Sequence, residues 1–219
     1  MVIGKILGVP EVDLPKFREW AGVLAAAIDF QFEEVEGLAE SQARSAVELY
    51  TYLAHIVAVR RKDPQDDLIS TMIHAETEEG RMSEDELVAT AILLLFAGHE
   101  TTTNLIGNGV MALLRQPDQW KRLVDDPGLA ASATEELLRF ESPVQLTTRS
   151  TFADVVVDGV TIERGTEVYF LLGSANRDEA VFTEPDRVDI TRDVRRTMAF
   201  GIGIHFCLGS ALARLEGEI

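Results

Sequence analysis

Apolar and polar residues in the first two-thirds of the chain recur at the three- and four-residue spacing of amphipathic helices. "LPKFREWAGVLAAAIDF" (14–30) predicts one such helix, and "GLAESQARSAVELYTYLAHIVAVRRKDP" (37–64) a longer one. In the second, Arg60, Arg61 and Lys62 sit where the negative end of the helix dipole favours cations, and Pro64 stops it. "DDLISTMIHAETEEG" (66–80) reads as a shorter helix closed by Gly80. Ser83 followed by Glu86 is a capping box that opens a helix from Glu84 to about Arg115. At 1.5 Å per residue this helix spans roughly 48 Å, the width of a domain. Its first half is apolar on all sides, which predicts a central position. "PDQWKRLVDD" (117–126) and "GLAASATEELLRF" (128–140) predict two more helices.

The pattern then changes. "VQLTTRSTF", "DVVVDGVTIE" and "TEVYFLL" are β-rich, and Asp158-Gly159 between valines is a two-residue hairpin signal. After Asn176 the chain is loop-like until a glycine-rich segment, and "SALARLEGEI" starts a final helix. The expected fold class is mainly α with a small β region. The helical part covers about 1–142, the β-rich part about 143–175, and the glycine-rich loop with its following helix about 196–219.

Composition narrows the setting. A chain of 219 residues, 46 % hydrophobic, can bury a sizeable core and is not disordered. One cysteine excludes an internal disulfide framework and fits a reducing cytosol. The opening "MVIGKILGVPEVD" has too short an apolar stretch for a leader and no small-residue cleavage site. The longest apolar run, Leu87 to Gly98, falls well below the ~20 residues of a membrane span. The expectation is a cytoplasmic protein with no membrane partner. A net charge of −17 would repel a phosphate backbone, so nucleic acid is discounted as a partner. The charge is uneven, however: five arginines against two aspartates make the stretch Arg187 to Arg214 net +3.

Three segments are candidates for chemistry. "AGHETTTN" (97–104) is poor helix material: Gly98 costs about 1 kcal/mol against alanine, and three successive threonines are β-branched. Their hydroxyls can bond back to preceding carbonyls and open the helix locally. A polar block inside an apolar helix is either a satisfied buried patch or a place where water or a ligand is met. A zinc-protease reading fails, because His99-Glu100 would need histidine where Thr103 stands. Glu136 and Arg139 lie three apart on one helix face, where an exposed pair contributes only about 0.3 kcal/mol. The third segment is "FGIGIHFCLG" (200–209), which holds the single cysteine among three glycines. Glycines there imply unusual backbone angles or close approach by another group. A zinc site needs about four ligands, and Cys207 with His205 falls short. A single thiolate as sole protein ligand suits a haem iron held from one side. The helix that follows, expected near Leu208, would place its positive end beside the sulfur.

Here the chain resembles a known family. "FGIGIHFCLG" is similar to the haem-binding loop of the cytochromes P-450, "AGHETT" to their oxygen-activation motif, and "ELLR" to their Glu-x-x-Arg motif. "ANRDEAVFTEPDRVD" resembles the segment that supplies a second arginine. All four occur in the family's order, and the likeness is closest to the soluble bacterial branch. The resemblance implies a haem-thiolate monooxygenase holding haem b (iron protoporphyrin IX), with Cys207 as axial ligand of the iron. Arg149 and His205 fall at positions of propionate partners. Phe200 would pack beside the thiolate, and Gly201, Gly203 and Gly209 would shape the loop. Ala97 and Gly98 would line the oxygen groove, and Glu100 and Thr101 would manage proton delivery. Glu136, Arg139 and Arg187 would form a buried structural triad.

Two positions depart from the family pattern: Glu179 replaces a usual proline and Val188 a usual phenylalanine. The resemblance further implies helices before Met1 and a continuation past Ile219, so the chain reads as a P-450 fold truncated at both ends. Implied partners are dioxygen, a small apolar organic substrate and a ferredoxin-type electron donor approaching the basic stretch. Two alternatives stand beside this: a haem-binding fragment without turnover, and a cysteine hydrolase of another fold.

Overall fold

The computed structural model describes residues 2–29, 37–75 and 80–219. The chain divides into two compact units, Met1–Glu100 and Thr101–Ile219, and the division falls inside one helix.

In the first unit the predicted periodicity becomes α1 (Val2–Ile6), α2 (Leu14–Asp29), α3 (Leu38–Lys62), α4 (Leu68–His74) and the first half of α5 (Glu84–Arg115). Each helix turns its apolar stripe inward. Phe17 and Trp20 of α2, Leu49, Leu53 and Val57 of α3, and Leu87, Val88, Ala91 and Leu95 of α5 share one buried cluster. Burial of each large side chain is worth about 1.5–3 kcal/mol. Phe17 packs edge-on against both Trp20 and Tyr52, with ring centroids 5.2 and 5.0 Å apart. The capping box at the start of α5 is formed: Ser83 N donates to Glu86 Oε2 at 2.8 Å, and Glu86 N to Ser83 Oγ at 3.3 Å.

The α4 region differs from expectation. Asp67 caps the helix by accepting from Ser70 N at 2.8 Å, and the helix already ends at His74. Ala75 turns to extended backbone there, with its N–H bonded to Thr71 and Met72 carbonyls. Residues 76–79 of the predicted helix lie outside the described residues. Asp67 also pairs with Arg60 at 2.5 Å, and Arg60 donates to Gly8 O at 3.0 Å. Burial pushes the Asp67 carboxyl up, but the bonds from Arg60 and Ser70 outweigh it and hold the carboxyl below its ordinary value. Gly8 adopts φ +86, and a Cβ there would lie 2.1 Å from Asp67 Oδ2, so both angle and space require glycine.

The second unit holds the rest of α5, then α6 (Pro117–Asp125) and α7 (Ala130–Phe140). Four short strands follow: β1 (Thr147–Ser150), β2 (Val155–Val157), β3 (Val160–Ile162) and β4 (Glu167–Phe170). β1 pairs antiparallel with β4, from Thr147 opposite Phe170 to Ser150 opposite Glu167, and the β2–β3 hairpin is inserted between them. Asp158 and Gly159 turn that hairpin with φ +46 and +80, the two positive angles that the Asp-Gly signal requires. A short α8 (Leu172–Ala175) precedes a long irregular stretch, and α9 (Ser210–Glu218) packs on α7. Ala112, Leu113, Ala133, Val188 and Ile190 form this unit's core. The fold is thus mainly α with small sheets, as the patterning predicts. Among the described residues no helix is long and apolar enough to cross a membrane.

Candidate functional site

The buried centre of the second unit is built on Glu136 and Arg139 of α7, both fully buried. Arg139 Nε and Nη2 donate to the two carboxylate oxygens of Glu136 at 2.7 and 2.9 Å. Its remaining donors reach the carbonyls of Asn176 at 2.8 Å, Pro185 at 2.9 Å and Arg187 at 3.3 Å. All five guanidinium N–H groups are therefore satisfied without water, the condition for holding a charge at zero exposure. A surface ion pair, the plain reading of this i, i+3 spacing, is excluded.

The expected third member is corrected. The Arg187 side chain is 56 % exposed and faces Glu184 at 3.9 Å. Arg192 takes the place instead: its Nε donates to Glu136 Oε1 at 3.1 Å, and its other nitrogens donate to the carbonyls of Thr183, Glu184 and Arg187. The reason is packing. Val188 and Ile190 are both fully buried in this unit's core, and the turn from Glu184 to Arg187 that precedes them leaves the Arg187 side chain at the surface. Asp189 N then donates to Glu136 Oε1 at 2.9 Å, and the chain bends back to bring Arg192 in. Arg187 contributes its carbonyl, not its charge. Val188, in place of the family's phenylalanine, sits in the core, and Glu179 is exposed.

The cysteine loop lies in the same unit. Gly201 and Gly203 take φ +67 and +71, left-handed angles that favour glycine. Gly209 does not: its φ is −84, and an added Cβ would meet no atom within 4 Å. Cys207 N donates to Phe200 O at 3.0 Å, Gly201 N to Met198 O at 2.9 Å, and Phe206 N to Gly203 O at 3.0 Å. These bonds close the loop on itself. The Phe200 and Phe206 rings lie 6.3 Å apart, and the Arg214 guanidinium covers Phe200 at 4.5 Å while pairing with Glu135. α9 begins at Ser210, not Leu208, and Ser210 N donates to Cys207 O at 3.3 Å.

This loop fits a flat apolar macrocycle. Cys207 is half-buried, and its chain neighbours Ile202, Ile204, Phe206 and Leu208 are exposed large apolar residues. No group of three or more His, Cys, Asp or Glu that could hold a metal occurs among the described residues. Both His205 and Arg149 are exposed, and Arg149 donates to Thr147 Oγ1 at 3.1 Å and Thr148 O at 2.6 Å.

The other predicted residues lie on α5, which continues unbroken through 97–104. Ala97 is exposed, whereas Gly98, Glu100 and Thr101 are half-buried. Gly98 has a packing role that sequence reasoning missed: a Cβ there would lie 3.1 Å from Ile3 Cγ1, so the missing side chain admits α1. The basic stretch is largely spent on pairs. Arg192 lies inside, Arg195 pairs with Asp193, and Arg214 pairs with Glu135, while Arg196 is exposed.

The family model described as "Cytochrome P450" matches residues 9–126 and 129–219. The chain belongs to the cytochrome P450 family. A "Biotin biosynthesis cytochrome P450" of Bacillus subtilis (strain 168) is 45 % identical over 100 % of this chain and 54 % of its own length. A "Vitamin D(3) 25-hydroxylase" of Pseudonocardia autotrophica is 49 % identical over 100 % of this chain and 52 % of its own. The crystal structure of P450BioI in complex with hexadec-9Z-enoic acid ligated acyl carrier protein superposes with a TM-score of 0.93 at 44 % identity. It is covered over 55 % of its length, and 99 % of this chain. This P450 chain thus spans about half the length of the curated relatives it matches. Membership of the family sets aside a cysteine hydrolase of another fold.

Proposed function

We propose that this chain carries the thiolate ligand, oxygen-side helix and buried structural centre of a haem-thiolate monooxygenase. That enzyme inserts one atom of dioxygen into a C–H or double bond of a small apolar substrate. The observation that carries the reading is the closed cysteine loop, with a half-buried Cys207 among exposed apolar residues, in a chain of this family. When bound, haem b supplies the dioxygen chemistry, and a thiolate ligand favours O–O cleavage.

The residues divide the remaining work. Cys207 would hold the iron, and α9 starts three residues past it at Ser210. Phe200 and Phe206 flank the loop, and Gly201 and Gly203 set its left-handed turns, while Gly209 leaves room above the backbone. Arg149 and His205 hold the carboxylates of the cofactor. Ala97 and Gly98 line the oxygen side, where Glu100 and Thr101 pass protons toward dioxygen. Relatives are named for vitamin D3 or solved with testosterone or with a hexadecenoic acid ligated to acyl carrier protein, and the apolar frameworks of vitamin D3, testosterone and the fatty acid support an apolar substrate here.

Electrons come from a ferredoxin-type protein. A groove of about 450 Å³ beside the cysteine loop is lined by Arg192, Arg195 and Arg214, the last two with their partners Asp193 and Glu135, and Arg196 is exposed in the same stretch. The test is a carbon monoxide difference spectrum of the reduced full-length enzyme, joined to a product assay under isotopic dioxygen. A thiolate-type band with one labelled oxygen atom in the product is expected. A thiolate band with no product over a panel of apolar substrates would favour the non-catalytic haem-binding alternative. No thiolate band at all would overturn the reading of Cys207.

A further inference from the structure

Asn176 is a fully buried amide with every polar atom engaged, and nothing in the chemistry above uses it. Its carbonyl oxygen accepts from Arg139 Nη1 at 2.8 Å. Its side-chain Nδ2 donates to Ser142 Oγ at 2.7 Å, just past the end of α7. Its side-chain Oδ1 accepts from Met198 N at 2.7 Å and from Thr197 Oγ1 at 3.3 Å. The same Thr197 hydroxyl accepts from Ala199 N at 3.2 Å. Asn176 therefore grips two successive backbone amides, Met198 directly and Ala199 through Thr197. The next residue, Phe200, presents the carbonyl that receives Cys207 N at 3.0 Å.

A continuous path of bonds thus runs from the Glu136–Arg139 pair, through one side chain, to the backbone of the cysteine. The intervening stretch, 177–202, contains no helix or strand. It has no ladder of its own to fix the height and tilt of the loop, so the loop takes its position from side chains that reach it. Asn176 supplies a rigid, two-ended connection, because a buried amide with both ends bonded cannot rotate without leaving donors or acceptors unpaired.

We propose that Asn176 is the positioning residue of the cysteine loop. It transmits the fixed geometry of the Glu136–Arg139–Arg192 centre to Phe200 and thereby sets where Cys207 presents its sulfur. The effect on the thiolate rests on the reading of Cys207 as iron ligand; the anchoring of the loop does not. Ser142 belongs to the other arm of the same amide. Losing it leaves Asn176 Nδ2 without its acceptor, yet leaves the bonds to Met198 and Thr197 in place.

The experiment compares Asn176→Ala, Thr197→Val and Ser142→Ala in the haem-loaded enzyme, with three readouts: thermal stability, hydrogen exchange at the Met198 and Cys207 amides, and the thiolate-type carbon monoxide band. Asn176→Ala should speed exchange at both amides by about tenfold and convert a large part of the thiolate band to the thiol-type form. Thr197→Val should act in the same direction but less. Ser142→Ala frees one end of the amide but keeps the bonds to Met198 and Thr197, so it should lower stability and disturb loop exchange and the band clearly less than Asn176→Ala. The proposal is overturned if Asn176→Ala lowers stability with exchange and band unchanged, or if Ser142→Ala disturbs the loop as much as Asn176→Ala. A wild type without a thiolate band would overturn the cofactor reading, and amide exchange would then still decide whether Asn176 anchors the loop.

Discussion

Arg187 and Arg192 offer a direct test of the buried centre. Family resemblance points to the first, and the structure to the second. Replacing Arg192 by alanine removes a charge-assisted bond to the fully buried Glu136 and one donor each from the carbonyls of Thr183, Glu184 and Arg187, of which Glu184 keeps Arg187 N and Arg187 keeps Arg139. A charge-assisted bond is worth about 1.5–3 kcal/mol, and breaking a buried pair costs about 3–5 kcal/mol. Glu136 keeps Arg139 and Asp189 N, and the Arg192 side chain is 12 % exposed, so water can reach part of the gap. The expected loss is therefore at the lower end, about 3 kcal/mol. Arg187→Ala removes a side chain that is 56 % exposed and 3.9 Å from Glu184, which predicts about 0.5 kcal/mol or less. Arg192→Lys restores the charge but not the fork of donors, so about half the loss should return. Urea denaturation of the haem-loaded variants, with matched cofactor occupancy, measures all three. Equal losses at 187 and 192, or a larger loss at 187, would refute the assignment of the triad.

Other expectations follow from single observations. The Asp67 carboxyl is held below its ordinary value, so the stability it confers is complete above about pH 4 and is lost as pH falls through its lower folded value. Asp67→Asn should therefore flatten the acid side of the stability curve, and an unchanged slope below pH 4 would count against the Arg60–Asp67 pair. Gly209→Ala should change the stability of the cofactor-free protein by less than about 0.5 kcal/mol, since φ is ordinary and the space open, yet weaken haem retention. Unchanged haem retention would show that no close approach occurs there. Thr101→Ala should leave haem binding intact and lower the ratio of product to reductant consumed by about tenfold or more; an unchanged ratio assigns Thr101 a structural role. Arg195→Glu with Arg196→Glu should slow reduction by a ferredoxin, most at low ionic strength, with the haem spectrum intact. A salt-independent rate equal to wild type would place the donor elsewhere.

Much of this protein was legible before any coordinates. Helices α2, α3, α5, α6 and α7 follow from apolar spacing, because burying a stripe every three to four residues is a local property of the chain. The Ser83–Glu86 box and the Asp158-Gly159 turn were readable for the same reason: their bonds and angles involve residues within three positions of one another. The cysteine loop declared itself through glycines, two of which do adopt left-handed angles. What the tertiary structure decided is which distant groups meet. Glu136 is joined by Arg192, not Arg187, because burial of Val188 and Ile190 in the core leaves Arg187 at the surface, and no local period encodes how that irregular stretch packs. Asn176 stood in plain view within "ANRD", but its partners Ser142 and Met198 lie 34 and 22 residues away. Gly98 looked like a site for oxygen and is also the seat of Ile3. Chain patterning determines which face of each element is buried; which side chain satisfies a buried charge depends on how those faces come together in space.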